Sequence, residues 1–154
     1  MSKVSSTQEI LEFAIAKEAE AHHFYMALAG RVDNRGMGKV LEELAEEELE
    51  HKRKLELEMM KLGKTVSTKL QAARPAGDYI LADESVTLDM DFKDILLLAM
   101  EKEEAAFRIY VNLAGTIADE QSQEVLLALA QEEVRHKLRF EAEYDAMLKE
   151  AEES

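Results

Sequence analysis

A chain of 154 residues has the size of one domain and is long enough to bury roughly two-thirds of the surface its unfolded form would expose. Its 33 acidic residues against 19 basic ones give a formal charge of −14, which repels a nucleic-acid backbone or an anionic membrane surface. The absence of cysteine excludes disulfides, thiolate nucleophiles, zinc–thiolate sites and cysteine-ligated iron–sulfur centres, so any metal must be held by nitrogen and oxygen. One proline, six glycines and many Ala, Leu, Glu, Lys and Met residues predict an all-α fold. The opening "MSKVSSTQEI" has no apolar signal region, and no run approaches the ~18 apolar residues of a membrane span. The expectation is a soluble cytoplasmic protein with neither nucleic acid nor membrane as a partner.

Periodicity predicts four helices. The first covers about residues 7 to 32 and is opened by Ser6 with Glu9 three residues on, the spacing of a capping box. "DNRG" then supplies turn chemistry, short enough to make the second helix, about 38 to 62, an antiparallel neighbour of the first. Residues 63 to 91 contain Gly63, Pro75 and Gly77 with little periodicity; they read as a long connection holding a short helix around Lys69 to Ala73. The third helix starts at Asp91 as N-cap and ends near Ile117. The fourth covers about Asp119 to Ala151, and its acidic tail reads as a solvated, frayed end. A second helix of about 25 residues spans roughly 38 Å, a length that about a dozen extended residues retrace. The connection can thus return the chain along the bundle, giving one domain over 1–154 in up-down-down-up order with a long crossover between helices 2 and 3.

The two halves, about 7–62 and 91–147, resemble each other. "AIAKEAEAHHFYMALAG" (Ala14 to Gly30) aligns with "AMEKEEAAFRIYVNLAG" (Ala99 to Gly115), and "VLEELAEEELEHK" aligns with "VLLALAQEEVRHK". The offset is 85 residues in both cases, from Glu18 to Glu103 and from Glu48 to Glu133. A repeated helical hairpin implies a pseudo-twofold bundle that presents whatever the hairpin carries twice to one interior.

Each hairpin carries a Glu on its first helix and a Glu-x-x-His on its second, and each lies on an apolar stripe. On the first helix the stripe runs Leu11, Ile15, Glu18, His22, Tyr25, Ala29. On the second, Leu41, Leu44, Leu55 and Leu62 flank Glu48 and His51. The third repeats the first as Leu96, Met100, Glu103, Phe107, Tyr110, Ala114, and the fourth repeats the second as Leu126, Leu129, Glu133, His136, Phe140, Met147. Four carboxylates and two imidazoles therefore converge at mid-height. Unpaired buried carboxylates cost several kcal/mol each, more than a marginally stable domain absorbs. Two divalent ions would neutralise four Glu and satisfy their oxygens, with the Glu and His of each i, i+3 pair gripping one ion on a shared helix face while the carboxylates bridge to the other. Glu20 and His23 also form a Glu-x-x-His, but off the Glu18 stripe and without a repeat. His22 reads as a packed core histidine rather than an extra ligand, because its repeat counterpart is Phe107. Tyr25 and Tyr110 face the same interior, either as hydrogen-bond donors to ligand carboxylates or as core aromatics.

These motifs, "KEAEAHHFY" and "EELAEEELEH" in one hairpin and "KEEAAFRIY" and "LAQEEVRH" in the other, resemble the ferritin-like di-iron carboxylate proteins, and within them the rubrerythrins, over nearly the whole chain. The resemblance implies a ferritin-like four-helix bundle with metal ligands Glu18, Glu48, His51, Glu103, Glu133 and His136, and a homodimer. Rubrerythrins typically add a cysteine-ligated rubredoxin domain as electron relay; this cysteine-free sequence holds none, so an external electron donor is implied. They also carry an additional Glu three residues from the third-helix ligand. Met100 and Ala106 stand at those positions here, with Glu101 and Glu104 flanking the inward face.

Oxygen-rich ligands with one imidazole per ion suit iron or manganese better than zinc. The expected cofactor is two iron ions per chain, with manganese or a mixed pair as alternatives. Two adjacent irons perform two-electron chemistry, and the leading expectation is a rubrerythrin-like enzyme reducing hydrogen peroxide or dioxygen. A ferroxidase or iron-handling protein of ferritin type is the second reading, and a non-catalytic helical interaction module is the third.

Overall fold

The computed structural model describes residues 6–33, 35–64 and 91–153. They form four helices: α1 (Thr7–Ala29), α2 (Arg35–Lys61), α3 (Phe92–Thr116) and α4 (Glu120–Glu153). The connection between α2 and α3, including the short helix expected at Lys69 to Ala73, lies outside the described residues.

Local chemistry sets the ends. Ser6 accepts from the Glu9 amide at 3.1 Å while the Glu9 carboxylate turns back to the Ser6 amide, completing the capping box. Asp91 accepts from the Asp94 amide at 2.9 Å, and Asp119 does the same for Ser122 at 2.9 Å, so α3 and α4 both open on an aspartate. At the end of α2, Lys64 N–H bonds the Met59 carbonyl and Gly63 N–H that of Met60. This Schellman pattern needs a left-handed residue, and Gly63 supplies it with φ 75°. Two boundaries differ from the sequence reading. Gly36, expected in the turn, is helical; the earlier start places Met37 in the core, where its buried side chain offsets the low helix propensity of glycine. The acidic tail is exposed but remains helical to Glu153, because Lys, Glu and Ala hold a helix without tertiary help.

α1 packs on α2 and α3 on α4. The core falls into two apolar clusters. One joins Phe24 and Leu28 of α1, Leu41 and Leu44 of α2, Leu96 and Ala99 of α3, and Phe140 of α4. The other joins Leu11 and Ile15, Leu55 and Met59, Tyr110 and Ala114, and Leu126 and Leu129. The first thus collects the starts of both α2 and α3, so these helices run parallel and the order is up-down-down-up. Leu62, expected on the core stripe, lies past the last turn of α2 and is 37% exposed. Between the clusters lies a slab of buried polar residues.

Two glycines predict opposite responses to alanine. Gly63→Ala puts a Cβ on a left-handed backbone and should destabilise by about 1 kcal/mol. Gly115→Ala, in α3 with open space around it, should stabilise by roughly 0.5–1 kcal/mol through helix propensity. Urea unfolding of the metal-free protein measures both.

Candidate metal centre

Glu18 from α1, Glu48 and His51 from α2, Glu103 from α3, and Glu133 and His136 from α4 occupy the slab, each 3% exposed or less. His51 Nδ1 lies 3.4 Å from Glu18 Oε2, 3.4 Å from Glu48 Oε1 and 3.3 Å from Glu133 Oε1. His136 Nδ1 lies 3.3 Å from Glu48 Oε1, 3.5 Å from Glu103 Oε2 and 3.6 Å from Glu133 Oε1. The imidazole rings are near parallel, 5.8 Å apart. Every contact on one side has its image 85 residues on.

These six atoms, one from each residue, lack hydrogen-bond partners. Buried polar atoms are ordinarily satisfied, so six of them aimed at common points call for a group that accepts them all. They sort into two overlapping donor sets, Glu18, Glu48, His51 and Glu133, and Glu48, Glu103, Glu133 and His136, with the atoms of each set within 4.8 Å of one another. Metal–ligand bonds of about 2.1 Å bring neighbouring donors to roughly 3–3.5 Å from one another, close to the separations here. The donor set fits two cations: Glu48 and Glu133 belong to both sets, whereas Glu18 with His51 and Glu103 with His136 each belong to one.

Beyond the ligand atoms, Tyr25 donates to Glu103 Oε1 at 2.6 Å, and Tyr110 donates to Glu18. Each tyrosine crosses from its own hairpin to the other. Burial, then the nearby carboxylate charge, pushes both phenols well above their usual range, which keeps them as donors. His136 Nε2 lies 3.5 Å from Glu47 Oε1 without a hydrogen bond between them. Sequence reasoning did not single out Glu47, and its repeat mate Glu132 turns instead to Arg135. His22 stays out of the donor sets and donates from Nδ1 to the Ala45 carbonyl at 2.8 Å, tying α1 to α2. Glu20 pairs with Lys17, and Glu104 with Lys137 and Arg108. Glu101 is exposed. None of these carboxylates enters the centre.

The electrostatics show how strongly the centre wants positive charge. Burial alone would depress the imidazoles, yet the carboxylates around them reverse this, pushing His51 up to about 12 and His136 up to about 10. Burial, then the charge of Glu48, raises Glu18 to about 7. Glu103 and Glu133 are raised as well, by burial first and then by neighbouring carboxylates. Glu48 alone is lowered: burial opposes ionisation, but His136 and His51 outweigh it and hold the carboxyl at about 2. Protons and metal ions therefore compete for the same atoms.

The rubrerythrin family model matches residues 9–93 and 94–154. No curated protein sequence matches the chain. Among solved structures, a hypothetical protein from Pyrococcus furiosus is similar, with TM-score 0.66 and 24% identity over 94% of this chain and 91% of that one. The Desulfovibrio desulfuricans bacterioferritin has TM-score 0.73 and 17% identity over 93% and 80%. A manganese catalase from Anabaena has TM-score 0.69 and 17% identity over 96% and 77%. At these identities the likeness is one of fold, the ferritin-like four-helix bundle.

Metal uptake should release at least one proton per imidazole, seen as a buffer-dependent heat in titration calorimetry, and should weaken as pH falls. A raised pKa stabilises the metal-free fold fully below the group's ordinary value and ceases to do so as pH climbs through the raised one. That window is 4.5 to about 7 for Glu18, and 6.5 to about 10 and about 12 for the imidazoles. Glu48 acts oppositely, losing its contribution only as pH falls from 4.5 toward about 2. The metal-free protein should therefore melt at lower temperature as pH rises from about 6 to about 9, while the metal-loaded protein does not.

Proposed function

Because this chain belongs to the rubrerythrin family, we propose that it is a di-metal redox enzyme that reduces hydrogen peroxide with electrons from an external donor. The observation that carries this reading is the convergence of six orphaned donor atoms into two equivalent sets sharing Glu48 and Glu133. The chemistry supplied by a pair of iron ions bound there is two-electron reduction, one electron from each. Iron fits the four oxygen and two nitrogen donors, and manganese is the alternative metal. The protein's own part is electrostatic. With ions bound, Glu18 and Glu103 would each balance charge on one side, and Glu48 and Glu133, which belong to both donor sets, would serve both positions. Tyr25 and Tyr110 keep a proton on their hydroxyls and fix Glu103 and Glu18 in orientation. Apolar clusters above and below limit water to the side of the bundle.

Reconstitution under anaerobic conditions with Fe(II), elemental analysis and stopped-flow spectroscopy test the reading. The expected outcome is two ions per chain and oxidation much faster by hydrogen peroxide than by dioxygen. Faster oxidation by dioxygen with continued iron uptake would instead mark an iron-handling protein of ferritin type. A protein that takes up no metal and melts identically after iron addition would be a helical interaction module.

Tyr25→Phe and Tyr110→Phe each strip a buried carboxylate of its donor. Either should weaken metal affinity roughly 10-fold or more, measured by competition with a chelator.

A further inference from the structure

α1 and α3 each pack chiefly on their own hairpin partner, and Tyr25 and Tyr110 reach across from one to the other. Between them a cavity of ≈ 180 Å³ descends from Lys17 and Lys102 to a floor made by Glu18, Glu48, Glu103 and Glu133. Its walls are Ala21, Phe24, Ala105, Ala106 and Ile109, joined by the rings of Tyr25 and Tyr110 and, beside Lys17, by Glu20. Ala21 and Ala106 are repeat mates, as are Lys17 and Lys102, so the cavity straddles the pseudo-twofold axis. Alanine at both positions leaves space that any longer side chain would fill.

That space is far larger than hydrogen peroxide requires. A water-sized molecule needs about 10–15 Å³ of such volume, so the cavity exceeds it by roughly tenfold, and two ions at the floor would take only the innermost part. The walls above the floor are mostly apolar, with Glu20 beside Lys17 as the exception near the mouth. The lysines at the mouth are engaged by partners, Lys102 Nζ lying 5.0 Å from the centre of the Phe24 ring and Lys17 Nζ 3.4 Å from Glu20. A neutral, compact organic group matches this lining better than an ion.

We propose that the cavity takes the organic group of a compact alkyl or aryl hydroperoxide, with the peroxide oxygens against the carboxylate floor. The assignment rests on the peroxide-reducing reading and names its substrate class. The hydroperoxide ROOH takes up two electrons and two protons, its O–O bond breaks, and ROH and water leave. The electrons come one from each ion of the reduced pair and are restored by the external donor.

The test uses the metal-loaded protein, Ala106→Leu and Ala21→Leu. Equilibrium dialysis with cumyl alcohol, the product from cumene hydroperoxide, reads occupancy without any redox step. Stopped-flow oxidation by cumene hydroperoxide and by hydrogen peroxide reads the reaction. The wild type should bind one alcohol and react with both oxidants. Each leucine variant should lose alcohol binding and lower the ratio of cumene hydroperoxide rate to hydrogen peroxide rate roughly tenfold or more. Taking the ratio within one preparation removes any loss of folded or loaded protein. A wild type that fails to bind the alcohol overturns the proposal. So does one that reduces hydrogen peroxide but not cumene hydroperoxide, in which case the peroxide-reducing reading stands. Leucine variants with an unchanged ratio also overturn it. Alcohol binding with no reaction toward either oxidant would bring down the peroxide reading and this substrate class together.

Discussion

Four carboxylates enclosed in one helical interior cannot all carry their charge unopposed. Ionised together in a medium of low dielectric, Glu18, Glu48, Glu103 and Glu133 would repel one another and forgo hydration, a cost beyond the few kcal/mol by which a small domain is stable. The structure answers with imidazoles set among them and phenols donating to them, and with geometry that suits a pair of cations. The bundle is divided accordingly. Apolar side chains fill its two ends and polar ones its middle, so helix association rests on the ends while the middle is free to serve chemistry.

The repeat turns this demand into symmetry. His51 meets Glu133 and His136 meets Glu48; Tyr25 meets Glu103 and Tyr110 meets Glu18. In each case a residue of one hairpin meets a residue of the other, and the repeat mates make the reciprocal contact. The two donor sets are consequently near copies. Glu47 breaks the likeness by facing His136 while Glu132 turns to Arg135, so one imidazole has a carboxylate behind it and the other lacks that pairing.

Much of this was legible in the sequence because helical spacing and an 85-residue offset project side chains predictably. The capping residues Ser6 and Asp91, the buried leucines 41, 44, 55, 96, 126 and 129, and the inward course of Glu18, Glu48, Glu103 and Glu133 all follow from local rules. What escaped depends on how helices meet. Gly36 looked like a turn residue because propensity ignores the burial that Met37 gains. Leu62 continued a stripe on paper past the point where α2 ends. The gap between α1 and α3 had no local signal at all, since alanines at 21 and 106 read as ordinary helix formers until the distance between helices is known.

The reciprocal pattern of contacts has an architectural meaning. It is the rule of an isologous dimer, in which patch i docks on patch j and j on i, here written twice along one chain. A single hairpin of this kind holds three of the four residues of one donor set and one of the other, yet it is complementary to itself. Joining the copies covalently turns a concentration-dependent assembly into an intramolecular one. It also frees the two halves to diverge, as Phe107 has from His22.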